Sequence, residues 1–129
     1  MSEITHDSIA KLMDIFYEKV RKDANLAPIF NAKIGESDSK WQHHKKHIGN
    51  FWKQMLLGES TFNGQPLKKH LELPPFPRER FDDWLALFEE SLHQVYDEPT
   101  SAHILEVARG IAGRFQMMIY DMPYSNARA

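Results

Sequence analysis

An all-α domain is the fold class that this sequence predicts, and three observations predict it. Apolar residues recur at helical spacing through each long segment. No stretch shows the apolar–polar alternation of a half-buried strand. Glycine and proline gather at the seams between segments rather than inside them. At 129 residues the chain has the size of one domain, 1–129, long enough to bury a core.

The first helix carries Ile9, Leu12, Met13, Phe16 and Val20 on one face. "NLAPIF" is expected to end it, because a proline disfavours helix in the residue before it. "IGESDS" reads as loop. "SKWQ", from Ser39 to Gln42, has the form of a capping box and predicts the start of a second helix. Its inner stripe is Trp41, His44, Ile48, Phe51 or Trp52, and Met55, so His44 points inward. His43 and His47 fall on a more polar face. Between Gly64–Pro66 and Pro74–Pro75 at most two helical turns fit; they hold His70 beside Leu67, Leu71 and Leu73. Pro77 suits the first position of the next helix, whose stripe is Phe81, Trp84, Leu85, Phe88, Leu92 and Val95. "DEPTS" breaks the chain. The last helix runs through Ile104, Val107, Ala108, Ile111, Phe115 and Met118 or Ile119, stopping before Pro123. Two helical pairs packed on each other would bury these stripes.

Composition removes several function classes. A formal net charge of −2 gives no field for nucleic acid or anionic lipid. The absence of cysteine excludes disulfides, iron–sulfur clusters and thiolate zinc sites. No apolar run approaches the roughly 20 residues of a membrane span, and "MSEITHDSIAKLMDIF" is too interrupted by charge for a signal peptide. A cytoplasmic protein is expected.

His43 and His47 have the i, i+4 spacing of a zinc-protease helix, but that motif needs Glu after the first histidine and this chain has His44. Lys45 and Lys46 add positive charge there, so a solvated face is the expectation. No nucleophile elbow or phosphate loop occurs. The carboxylate pairs Asp82–Asp83 and Glu89–Glu90 read as the outer side of their helix. His70 is different. A haem iron needs one imidazole held rigidly between large apolar walls. The proline-bounded segment could hold it, with Phe51, Trp52, Phe81, Trp84 and Phe88 as walls. Spacing by itself leaves a haem pocket and a cofactor-free helical bundle both open.

The stretches "FYEKVRKD", "LAPIF", "HHKKHIGNFW", "LLGESTFNGQPLKKHLELPPFP" and "FDDWLALFEESL" occur in this order across most of residues 8 to 96. Together they resemble truncated haemoglobins of the third group, and the lack of any Gly-Gly pair agrees with that group rather than the other two. Past residue 96 only the helical pattern is similar. The resemblance implies a truncated globin-like two-over-two helical sandwich around one b-type haem, with His70 as the iron ligand. It puts Tyr17, His44 and Trp84 on the opposite side and makes Phe30, Ile48, Phe51, Leu71 and Phe88 the remaining haem contacts.

Oxygen held at such an iron gathers negative charge. Tyr17 can donate to it through its hydroxyl and Trp84 through its indole N–H. At about 1.5–3 kcal/mol each, two such bonds slow release by about two orders of magnitude or more. Slow release suits retention, sensing or chemistry, not delivery. The resemblance therefore implies a protein that binds oxygen, with nitric oxide and carbon monoxide as further ligands. The alternative is a redox enzyme, dioxygenating nitric oxide or acting as a peroxidase. Lacking flavin and nicotinamide motifs, it would draw electrons from a partner reductase. A helical interaction domain without cofactor is the third reading.

Overall fold

In a computed structural model, which describes residues 3–60, 64 and 76–121, the chain is helical throughout, with no strand among the described residues. The helices are α1 (His6–Lys22), α2 (Ala27–Ile34), α3 (Asp38–Leu57), α4 (Glu79–Val95) and α5 (Glu98–Gln116), which widens into a π turn over Met117–Asp121. Helix α1 starts on a reciprocal cap. The Ser8 N–H donates to the Thr5 hydroxyl at 3.0 Å, and the Thr5 N–H donates to the Ser8 hydroxyl at 2.9 Å. Asp7 in its first turn and Lys19, Arg21 and Lys22 in its last turn complement the helix dipole. The predicted stripe is its buried face, extended by Tyr17.

Helix α2 corrects the expectation at "NLAPIF". Pro28 does not end a helix there; it sits in the first turn of a new one. The first N–H groups of a helix have no partner within it, so a missing one costs nothing. Asp23 prepares that start, accepting from the N–H groups of Asn25 and Leu26 at 3.0 and 2.9 Å.

Helix α3 also begins earlier than predicted. Its cap is Ser37, which accepts from the Lys40 N–H at 3.3 Å, so "SKWQ" is already inside the helix. It ends at Gly58, held at φ +70°, whose N–H donates to the Gln54 carbonyl at 3.1 Å. Trp41, Gly49 and Trp52 are buried, whereas Met55, expected inside, is 40% exposed. Met55 lies a turn beyond Phe51, which lines a cavity, and is not itself part of that lining.

Pro77 is not the first residue of α4 but lies just before it. Its carbonyl accepts from the Arg80 N–H at 3.0 Å, closing a tight first turn that leads into Glu79. "DEPTS" is less a break than a cap: Asp97 accepts from the Thr100 N–H at 3.0 Å and Pro99 occupies the first turn of α5.

Helix α1 packs against α3 and α4, and α4 against α5. Where α1, α3 and α4 meet, Phe88 lies stacked between Trp52 and Trp84, at 5.2 and 5.1 Å between centroids. Phe16 meets Trp84 and Phe88 edge-on at 5.3 and 5.2 Å. Such aromatic geometry adds about 0.5–1.5 kcal/mol per pair beyond area burial. No helix among the described residues is long and apolar enough to cross a membrane.

Candidate functional site

Helices α2 to α5 do not close on one another along their inner sides. They enclose a cavity of about 610 Å³, within the roughly 300–1,000 Å³ of sites that engulf a small molecule. Its walls are apolar and aromatic. Phe30 comes from α2, Ile48, Phe51 and Trp52 from α3, Phe81 and Trp84 from α4, and Ile111 and Phe115 from α5. Tyr17 reaches it from α1 and His44 from α3, their rings edge-on at 4.9 Å.

Tyr17 is 4% exposed, and burial pushes its phenol well above the ordinary range. It is therefore a neutral donor at any physiological pH. Phe16, Phe30, Trp41 and His44 hold its ring from four directions at 4.9 to 6.2 Å. Trp84 is fixed by its stack on Phe88. Among the described residues, neither the Tyr17 hydroxyl nor the Trp84 indole N–H donates to a protein acceptor. Trp41 shows the contrast, its indole N–H donating to the Gly35 carbonyl at 2.9 Å.

The charge lining the cavity has one sign. Lys33, Lys40 and Arg80 contribute it, His43 and His47 add polar rings beside them, and among the described residues no aspartate or glutamate lines the cavity. Arg80 forms an ion pair with Asp83 at 3.1 Å, yet its Nε is buried with no hydrogen-bond partner. A buried guanidinium donor left over in this way favours a carboxylate. Apolar walls, two neutral donors and a border that carries lysine and arginine fit a flat hydrophobic molecule with acidic groups on its edge. Haem, with its two propionates, is such a molecule.

Tyr17, Phe30, His44, Ile48, Phe51 and Trp84 come together around this one cavity. Phe88 does not line the cavity; it stands one layer behind, fully buried between Trp52 and Trp84. His43 and His47, expected to be a plain solvated face, belong to the cavity border. The predicted iron ligand His70 and its neighbour Leu71 lie outside the described residues. Sequence reading missed Lys33, Lys40 and Arg80, whose only signal was a lysine or arginine next to an apolar wall position. Among the described residues no three His, Asp or Glu side chains gather into a metal site.

Comparisons with known proteins agree with this geometry. The model of the bacterial-like globin family matches residues 5–117. The chain is 63% identical, over 117 residues, to the group 3 truncated hemoglobin ctb of Campylobacter jejuni, covering 91% of this chain and 92% of that protein. It is 29% identical over 96 residues to the group 2 truncated hemoglobin YjbI of Bacillus subtilis, covering 71% and 67% respectively. The crystal structure of the group III truncated hemoglobin from Campylobacter jejuni superposes with a TM-score of 0.92 at 61% identity, over 95% of this chain and 96% of that one. By sequence and by fold, this chain belongs to the bacterial-like globins, and within them to the group 3 truncated haemoglobins.

Proposed function

We propose that the cavity holds one b-type haem with His70 as its iron ligand, and that the protein retains oxygen there through Tyr17 and Trp84. The family itself implies a haem with iron and a diatomic gas as ligand. The type of haem, the ligating histidine and the two donors are our reading. It rests above all on the two donors that reach a buried aromatic cavity without an acceptor among the described residues.

Bound ferrous haem supplies a metal centre with affinity for small gases. The rest falls to the chain. Tyr17 offers a proton that burial keeps on its oxygen, so the pocket presents a hydrogen-bond donor and never a phenolate. Trp84 can only donate, and its stack on Phe88 restricts the direction in which it does so. His44 borders the same space and supports the Tyr17 ring. Arg80, Lys33, Lys40 and the His43–His47 pair would meet the propionates at the border. Lys68 and Lys69, close to His70 in sequence, lie outside the described residues. The same donors would serve nitric oxide dioxygenation or peroxidase chemistry, given electrons from a partner reductase. We further read the whole chain, 1–129, as one cytoplasmic globin domain.

The visible spectrum of the purified protein tests the core of this. A strong Soret band is expected in the parent, lost in His70→Gly and restored by added imidazole. A parent-like spectrum in His70→Gly without imidazole would refute the ligand assignment.

A further inference from the structure

The end of α5 is tied back to the start of α4 by three kinds of contact. In the π turn, the Tyr120 hydroxyl donates to the Phe76 carbonyl at 2.9 Å, across 44 residues of sequence. Arg78 Nε donates to the Gln116 carboxamide oxygen at 3.0 Å, and the Arg78 guanidinium lies over the Tyr120 ring at 5.6 Å. The Phe76, Phe81 and Tyr120 rings form a triangle with sides of 5.8, 6.3 and 6.3 Å. Two corners of that triangle, Phe76 and Phe81, are cavity wall; Tyr120 is not. A helix that ran on as α would place residue 120 at a different rotation, because a π turn closes i→i+5 instead of i→i+4 bonds and so shifts the register. Single π turns recur where a helix serves a site.

We propose that this clasp is a positioning device for the cofactor: Tyr120, from outside the cavity, fixes the wall at Phe76 and Phe81 and with it the seat of the haem. The proposal rests on the haem reading above. A simpler role would be to dock the end of α5 onto the fold, and the two roles separate experimentally. Tyr120→Phe removes the hydroxyl and leaves the ring triangle. Tyr120→Leu removes both.

The test uses the full haem-loaded chain. Haem transfer to excess apomyoglobin should run roughly three- to tenfold faster in Tyr120→Phe, the equivalent of one neutral hydrogen bond, and faster again in Tyr120→Leu. The iron–histidine band in the Raman spectrum of the ferrous protein should shift or broaden in both. Tyr120→Phe should lower the melting temperature of the haem-loaded chain by more than that of the haem-free chain, which loses the one hydrogen bond to Phe76. Parental haem transfer together with a parental Raman band would overturn the proposal. So would an equal loss of melting temperature with and without haem at an unchanged band, which would leave Tyr120 a brace of the fold. A parent chain without a haem spectrum would sink the cavity reading itself, and that failure shows in the parent before any variant is made.

Discussion

Tyr17→Phe deletes a single oxygen atom, and the structure predicts opposite consequences for stability and for ligand retention. The four rings around Tyr17 touch its carbon framework, so phenylalanine keeps that packing. If the hydroxyl is kept for the ligand, its removal takes one bond from an oxygen that carries partial charge. Such a bond is worth about 1.5–3 kcal/mol, or roughly ten- to a hundredfold in the release rate. Carbon monoxide gathers little charge, so its release should change far less. In haem-free protein no acceptor in the described chain is lost, and melting should hold or rise. A structural hydrogen bond would instead cost about 1 kcal/mol, roughly 4 °C for a domain of this size. Stopped-flow release of both gases and thermal melting of the haem-free variant provide the three numbers. Equal acceleration of both gases would point to altered access. A drop in haem-free melting with unchanged oxygen release would refute the reasoning outright.

Trp84→Phe should repeat this pattern, with oxygen released about tenfold faster or more and the stack on Phe88 retained; Trp41→Phe, whose donor is used by Gly35, should instead lower melting. The Tyr17 phenol has its folded pKa raised above the unfolded value near 10, so its contribution to stability is complete below about pH 10 and lost as pH climbs toward the folded value. Denaturant titrations from pH 9 to 12 should therefore show a shallower alkaline decline in Tyr17→Phe than in the parent, and identical slopes would contradict the burial argument. Two glycines should respond with opposite signs in thermal melts. Gly58→Ala, at φ +70° in open space, should cost about 1–2 kcal/mol. Gly49→Ala, inside α3 with Met13 Cγ and Ile9 Cγ2 at 3.8 and 4.0 Å from the added carbon, should gain about 0.5–1 kcal/mol.

Helical periodicity carried the sequence reading wherever a helix meets another helix. The α1 stripe is the buried face of α1 because it has α3 on one side and α4 on the other. Periodicity says which way a side chain points but not what it meets, and the errors follow from that. His43 and His47 lie on parts of α3 that border a cavity, Met55 near its end is exposed, and no count of three or four residues distinguishes an inner face from the lip of a pocket. Phe88 was legible as inward, yet the bulk of Trp52 and Trp84 keeps it from the lining. Pro28 was misjudged because a proline reads the same at the end of one helix and in the first turn of the next. The aromatic and histidine pattern of the candidate site could be read because those residue types are costly to place by chance together. Its cationic border could not, since lysines beside apolar positions are common on any surface.

Helix α2 buries none of its eight residues. Its apolar side chains Ile29, Phe30 and Ile34 line the cavity, and Phe30 and Ile34 also touch the core, so part of the surface they need is that of the haem proposed above. An eight-residue segment is well short of the length at which a helix persists by itself in water. On the proposed reading the cofactor would supply a missing part of a hydrophobic core, and loading it would be partly a folding reaction of this panel. Haem affinity and the local melting of α2 become two readings of one free energy: a substitution that frays α2 spends binding strength, and a tighter-binding haem analogue would slow amide exchange across residues 27–34.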